Sequence, residues 1–362
     1  MKKKFKKPKK IQLPKVQRPF KRAKPTEEKV NEALSGVPRI TNETVAEHRE
    51  EVLSSARKYI YPLQHSKNRV VRTSIALFLA VIIAFLVFCG LDLYKFQSTG
   101  GFVYGVTRVL PFPVAKAGHS WVSYESYLFE LRRNMHYYQT QQQADFGSKT
   151  GKEQLTRLKK QAMAQVIQDA YVKQLAKANQ VSVSQQAVDN EVALVRSQNR
   201  LGNNDRVFKD VLKQFWGWDQ TDFKRELRQQ LLQQDVVAKL DTATNARANT
   251  AIQQIKSGAD FATVATTSSD DASTKANGGQ YQATITPTDR NVAPIILQTL
   301  NKLGAGQTSD IVNTGYTLEI LKVVDKSPTS LHAAHIQFTF QPIDTYVVPL
   351  RDKNVPHQFI RF

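Results

Sequence analysis

The sequence predicts an α+β protein with an N-terminal transmembrane helix, an all-α region, and then a small α/β module built on an antiparallel sheet. Three features of the 362 residues carry that prediction. One is the uncharged run Thr73–Leu91. The second is a series of apolar stripes at 3- and 4-residue spacing between residues 120 and 240. The third is a change of texture after Leu240, where short helical pieces alternate with strand-like runs and a glycine pair.

The apolar run lies between Arg72 and Asp92 and reads SIALFLAVIIAFLVFCGL from Ser74. About 20 apolar residues make a helix long enough to cross roughly 30 Å of hydrocarbon. Leu, Ile, Phe and Val fill twelve of the positions. At about −0.3 to −0.6 kcal/mol each, they favour the bilayer by about 4 to 7 kcal/mol. A cleaved signal peptide would carry a short terminal charged region, whereas some seventy residues come first here.

The net charge of +20 is unevenly spread. Residues 1–72 hold 20 basic and 7 acidic groups, so +13 of it precedes the apolar run. Twelve Lys or Arg and no acid fall within the first 24 residues, and Lys58, Lys67, Arg69 and Arg72 crowd the edge of the run. The bias of positive charge toward the cytoplasm puts the N-terminus inside and everything after Asp92 outside. The tail is expected to be a solvated segment drawn to anionic lipid heads, not a nucleic-acid binder. The single cysteine, Cys89, lies in the apolar run, so no disulfide forms within a chain, and Phe88 is too bulky to precede a lipoprotein cleavage site. The few His are scattered without metal-ligand spacing; no metal and no cofactor is expected.

In order, residues 1–40 are Lys- and Pro-rich, lack apolar periodicity and are expected to be disordered. In 41–72, Thr44 and Glu47 form a capping-box pair for a short amphipathic helix with Val45, Val52, Leu53 and Ala56 on one face. The membrane helix occupies 73–93. The segment 94–119, with Gly, Pro and aromatics, reads as a linker with room for one short strand. The helical region is 120–240. Tyr124, Tyr127, Leu128, Leu131 and Met135 stripe its first helix; Leu155, Leu158, Ala162, Val166, Tyr171 and Leu175 stripe a long second one. Ser184 caps a third carrying Val188, Val192 and Val195. After a Gly/Asn turn at 200–205, Phe208, Leu212 and Phe215 mark a helix stopped by Gly217. Thr221 or Asp222 opens the last, with Phe223, Leu227, Leu231 and Ala238. The stripes are most simply core; Trp216 and Trp218 are left to grip apolar segments of another chain.

Residues 241–362 make the second module. A helix through Ala246, Ala251, Ile252 and Ile255 ends near Gly258, and Gly278-Gly279 precedes an extended piece, Gln280–Ile285. A helix from Ala293 to Leu303 stops at Gly304, followed by strand-like runs at 310–313, 316–324 and 332–340.

Two stretches resemble known families. From about Leu155 to Leu240, the order helix, VSVSQQAVDNEV, turn, FKDVLKQFWGWDQTDFKRELRQQLLQQ resembles the N-terminal chaperone domain of SurA- and PrsA-type foldases. Gly217 and Phe223 hold the places of that family's Gly-x-x-x-x-x-Phe element. The stretch IKSGADFATVATTSSDDASTKANGGQ resembles a parvulin peptidyl-prolyl isomerase in Gly258, Asp260, Phe261, Ala265, Ser269, Asp271 and Gly278-Gly279. LNKLGAGQTSDIVNTGYTLEILKV is similar to that family's closing strands.

Two departures stand out. The family's first strand, with His-Ile-Leu, does not precede Ala246; HAAHIQF, with His335, stands at the far end instead. The short link 325–331 suits an antiparallel hairpin, so the module reads as circularly permuted, with its first strand at 332–340; the rival is the stub of a second repeat. The second His of the family's Gly-Tyr-His is Thr317 here.

The resemblance implies that His335 and Asp271 form a polar centre with Thr314 and Thr317 beside them, and that Ile295, Ile296 and Leu300 line a slot for a proline ring. Each also has a plain structural role: a strand histidine, a helix cap, ordinary core. Rotation about an X-Pro bond is slow because amide resonance is lost, with an activation energy near ~20 kcal/mol. A protein lowers that barrier by favouring the twisted amide over the planar one. The expected function is a membrane-anchored extracytoplasmic foldase that binds unfolded, Pro-containing secreted polypeptides and isomerises X-Pro bonds with a partly degraded site. Two alternatives remain: a non-catalytic holdase with a degenerate parvulin fold, and an envelope scaffold or nucleic-acid-linked membrane protein working through the basic tail.

Overall fold

A computed structural model describes residues 40–60, 64–197 and 204–362, with Glu27, Asn31 and Ser35 as single residues. The tail read as disordered and most of the Gly/Asn turn lie outside the described residues. The chain divides into two compact units, 1–84 and 85–362.

In the first unit, helix α1 (Asn42–Ile60) begins at a reciprocal cap one turn earlier than expected. The Thr41 hydroxyl accepts the Thr44 N–H (3.3 Å), and the Thr44 hydroxyl accepts the Thr41 N–H (3.0 Å). Thr44 therefore fills the third helical position itself, which displaces Glu47 from the cap. Helix α2 (Gln64–Gly90) continues through a π-helical turn, Leu91–Phe96. The stretch Arg69–Phe96 is 28 residues long, with a mean hydropathy of 2.9 over its most apolar 18 residues, and is long and apolar enough to cross a membrane by length and composition.

The second unit begins on the last turns of α2. The sequence places a linker at 94–119; the chain there is instead ordered. Gln97 ends the π turn in a left-handed conformation, and the Ser98 hydroxyl donates to the Asp92 carboxylate (2.6 Å). Helix α3 (Gly101–Val109) and strand β1 (Pro113–Ala117) follow, then β2 (Ser120–Ser123), which the sequence reading lacked. Gly118, at φ +55°, turns the chain between β1 and β2, a conformation glycine adopts without strain.

The helical region matches its stripes. Ser123 accepts the Ser126 N–H and opens α4 (Tyr124–Gln141), whose Tyr124, Tyr127, Leu128 and Leu131 are buried. α5 (Lys149–Ala178) buries Leu158, Ala162, Val166 and Tyr171 against it. α6 (Gln185–Ser197) starts at Ser184, and α7 (Asp205–Trp216) stops at Gly217, φ +69°. α8 (Gln220–Leu240) opens one residue before the expected start because Asp219 and Asp222 form a full capping box.

The second module comprises α9 (Thr242–Lys256), α10 (Phe261–Ser268), the single turn α11 (Ala272–Lys275), α12 (Pro294–Lys302), β3 (Val312–Asn313), β4 (Thr317–Lys326) and β5 (Leu331–Thr339). The sheet is antiparallel in the order β3-β4-β5. Both of its faces are covered, so β4 and β5 alternate between two cores. Leu318, Ile320, Ala334, Ile336 and Phe338 face a cluster with Phe261 and Val264. Leu321, Val323, Leu331 and Ala333 face Ile296, Leu297 and Leu300 of α12.

The chain end does not stay with this module, where the sequence reading had assigned it. After α13 (Asp344–Lys353), strand β6 (His357–Gln358) pairs with Ala115–Lys116 of β1. Ile360 is buried in the core that holds Tyr124 and Tyr127, and Phe362 stacks on Tyr127 at 5.9 Å. A two-residue strand carries too weak a period to be read from sequence. Ile360→Ala should therefore cost about 2 to 4 kcal/mol, whereas exposed Val355→Ala should stay within about 0.5 kcal/mol. Urea unfolding of the full chain in detergent micelles measures both.

Candidate active site

The hairpin register builds the site. Leu321 lies opposite His335, and Glu319 opposite Gln337, so Glu319 is the diagonal neighbour of His335 across the hairpin. Both side chains are enclosed: His335 is 5% exposed and Glu319 2%. The His335 Nδ1 lies 2.9 Å from Glu319 Oε2, and its Nε2 lies 2.9 Å from Asp271 Oδ2.

Asp271 reaches this position because the segment between α10 and α11 is pinned along β5. Asp270 N–H donates to the Gln337 carbonyl (2.7 Å), the Ser269 hydroxyl accepts the Gln337 N–H (3.1 Å), and the Asp270 carboxylate accepts the Thr339 N–H (2.9 Å). Asp271 then caps α11. Its carboxylate accepts from the Ser273 N–H (3.0 Å), the Ser273 hydroxyl (2.7 Å) and the Thr274 hydroxyl (2.7 Å). The glycine pair brings the chain back against the strand. Gly279, at φ +82°, accepts the His335 N–H through its carbonyl (2.8 Å), and a Cβ on it would lie 2.2 Å from the His335 carbonyl oxygen. No other residue fits there. Tyr281 next lays its ring on the imidazole, 4.5 Å between centroids and 26° between planes.

A chain of hydroxyls continues from the other oxygen of Glu319. Thr317 donates to Oε1 (2.8 Å), and the Thr314 hydroxyl lies 2.7 Å from that of Thr317. The four polar residues named from sequence, His335, Asp271, Thr317 and Thr314, thus fall in one network. Glu319 joins its halves, and sequence reading missed it. The available signal was an acid flanked by Leu318 and Ile320 in a buried strand. Tyr281 was missed as well; its place depends on the turn after Gly279 and left no pattern.

Each ring nitrogen of His335 faces a carboxylate, and only the imidazolium donates to both. Burial works against that charge; the hydrogen bond and charge of Glu319, and then of Asp271, outweigh it and leave the imidazole pKa above its usual value. For Asp271, burial would raise the pKa, yet the Thr274, Ser273 and His335 hydrogen bonds hold the carboxyl well below the usual carboxylate range. Burial, followed by the charges of Glu319 and Asp271, keeps the Tyr281 phenol protonated. Among the described residues no group of three His, Cys, Asp or Glu is arranged to hold a metal ion.

The three apolar residues named from sequence divide. Leu300 is 0% exposed and Ile296 is buried, both packed beneath the sheet. Ile295 is half-buried at the margin of the same cluster, with Tyr281, Val292 and Val312. In the helical body Trp218 is also core: it stacks on Phe129 at 5.3 Å, and Trp216 stacks on its outer side at 5.9 Å. Only Trp216 keeps part of its ring open to solvent.

The chain matches two family models, the SurA-like N-terminal domain over residues 63–237 and the PPIC-type PPIASE domain over residues 231–325. Residues 63–237 thus carry a SurA-like N-terminal domain and residues 231–325 a PPIC-type rotamase domain. Among solved structures it is similar to a peptidylprolyl isomerase (PrsA) from Bacillus anthracis, at 20% identity over 53% of this chain and 86% of that one, with a TM-score of 0.17. The foldase protein PrsA of Streptococcus pneumoniae matches at 18% identity over 53% of this chain and 76% of that one, with a TM-score of 0.18. No curated protein matches. The two matched domains overlap within α8, and the rotamase match ends at residue 325, before β5 brings in His335.

The network sets a pH window. The folded state holds the His335 proton more tightly than the unfolded chain, so that stabilisation is complete below about pH 6.5 and fades as pH rises through the folded value. Asp271 acts oppositely: its contribution is complete above about pH 3.9 and fades as pH falls through its folded value. Resistance to urea should therefore peak in mildly acidic buffer and decline toward alkaline pH. Glu319→Gln should flatten the alkaline decline, and NMR titration of His335 in that variant should give a lower imidazole pKa than in the parent.

Proposed function

We propose that the protein is a membrane-anchored extracytoplasmic foldase whose SurA-like body holds unfolded secreted chains and whose parvulin module isomerises X-Pro bonds. The foldase and isomerase class is supported by the two family matches. The observation that carries catalysis is the His335–Asp271–Glu319 network beneath Tyr281.

Two carboxylates and one imidazolium leave this centre with a net negative charge. A planar amide puts resonance charge on its oxygen, and a twisted one does not. An anionic centre facing that oxygen therefore raises the ground state more than the twisted state, which is the differential a catalyst needs. Tyr281, Ile295 and Val292 offer the half-open apolar margin for the proline ring; Ile296 and Leu300 act from below as its support. Thr314 and Thr317 are half-buried at the edge of the network and are the hydroxyls within reach of a bound backbone.

The body has its own crevice for a client segment, a cavity of about 380 Å³ lined by Ser123, Phe129, Glu130, Asp169, Arg225 and Gln229. Burial pushes Glu130 up to about 7 against the pull of Arg133, and pushes Asp169 up to about 6. Both acids thus titrate near neutrality, which suits a surface that accepts varied polar backbones. The basic leader would rest on anionic lipid heads of the inner leaflet.

A second reading, a holdase without catalysis, draws on the 5% exposure of His335, the ring of Tyr281 over it, and Thr317 in place of a second histidine. Full-length protein in micelles should accelerate cis–trans exchange of a Pro-containing tetrapeptide. His335→Ala and Asp271→Ala should each lower kcat/KM about 10- to 100-fold, or about 1.4 to 2.7 kcal/mol of barrier, with thermal unfolding as the check on folding. No acceleration by the parent chain would leave the holdase. For topology, protease added to intact cells should digest the segment after Asp92 and spare the leader; the reverse pattern would overturn the extracytoplasmic placement.

A further inference from the structure

The last turns of the apolar helix belong to the second unit. Cys89 and Leu93, in its last turns, are buried within the second unit. The Tyr124 hydroxyl donates to the Leu93 carbonyl (2.6 Å), and the Tyr94 hydroxyl to the Pro113 carbonyl (2.5 Å). The folded core therefore includes the end of the helix itself.

Helix α3 comes next; Val103 and Tyr104 pack inward against the core, yet its outward side is apolar too. Its inner side carries its polar bonds: Tyr104 donates to Glu125 (3.3 Å), and buried Thr107 donates to the Tyr104 carbonyl (2.8 Å). Its outer side is apolar. Phe102 is 68% exposed and Val109 80%, Gly101 and Gly105 are exposed between them, and nothing lies within 4 Å of where a Cβ on either glycine would sit. These residues, with Val106, line an open groove of about 480 Å³ whose other wall is Phe85 of α2. An apolar face of this kind on a soluble body marks an interaction surface.

We propose that this face of α3 lies in the acyl-chain boundary of the bilayer crossed by α2, so that lipid chains fill the groove and the body is held against the outer leaflet. The proposal rests on the reading of Arg69–Phe96 as a membrane anchor. The occupant follows from the wall: Phe85 belongs to the apolar helix, and a groove that shares this wall opens onto whatever surrounds that helix. The charged groups agree. Arg108 and Arg132 both sit over the ring of Tyr104, at 6.0 and 5.2 Å, so cations lie beside the apolar face as they do on helices that rest at anionic lipid heads.

The test uses the full chain with Cys89→Ala, reconstituted in vesicles of phosphatidylcholine and phosphatidylglycerol. Single spin labels are placed through Leu79→Cys, Phe102→Cys, Val109→Cys and, as a water-exposed reference, Val355→Cys. Collision with oxygen, which concentrates in lipid, is compared with collision with a water-soluble nickel chelate. Labels at 102 and 109 should show an oxygen-to-nickel ratio close to that at 79 and several-fold above that at 355. If 79 reads as lipid while 102 and 109 read as water, the anchor stands and this proposal falls. If 79 itself reads as water, the anchor reading fails and the proposal with it. Spin–spin broadening at 102 and 109, with both reagents excluded, would mean that a second copy covers the face and would also overturn it.

Discussion

A buried imidazolium must have both of its N–H groups paired, and that constraint organises the C-terminal half of this chain. An unpaired charge in the interior costs several kcal/mol, so His335 is tolerable only with both carboxylates in place. Glu319 comes from the adjacent strand and is fixed by hairpin register alone. Asp271 comes from another segment and needs three separate fastenings of Ser269 and Asp270 to β5, then a cap on α11. Gly279 must be a glycine because the returning chain touches the backbone of His335. Each local oddity here, the Ser-Asp-Asp run, the glycine pair and the acid in an apolar strand, answers to one buried charge.

The module is also tied twice to the helical body. α8 leads from one into the other, and the two family matches overlap at its residues 231–237. After β5 the chain returns through α13 to pair β6 with β1 and to seat Ile360 in the core. The parvulin-like part thus sits as an insertion between two pieces of the body, and the end of the chain is a structural member of the first domain.

Much of this was legible in the residues. Stripes of large side chains at helical spacing, as in Tyr124–Leu131 and Leu158–Tyr171, predict their helices because burial of one face dominates helix stability in a protein. The hairpin was legible because two strand-like runs flank a short link. What failed did so for physical reasons. In 94–119 order comes from long-range contacts, such as Tyr124 to Leu93 and Tyr94 to Pro113, and these leave no periodic signal. Ile296 and Leu300 look like slot residues in sequence, yet exposure depends on which side of α12 faces the sheet. Trp218 likewise reads as an open aromatic but lies between two rings. Glu319 was passed over because an acid within a strand is normally placed on the wet face, and this strand has none.

Thr317 and Glu319 belong together. Glu319 has two oxygens to satisfy in a dry site. His335 takes one, and the Thr317 hydroxyl, backed by Thr314, takes the other. A threonine is short enough to turn inward to an acid two residues along its own strand while staying at the margin of the site. Thr317 completes the hydrogen bonding of a buried carboxylate whose hydrogen bond and charge raise the imidazole pKa of His335.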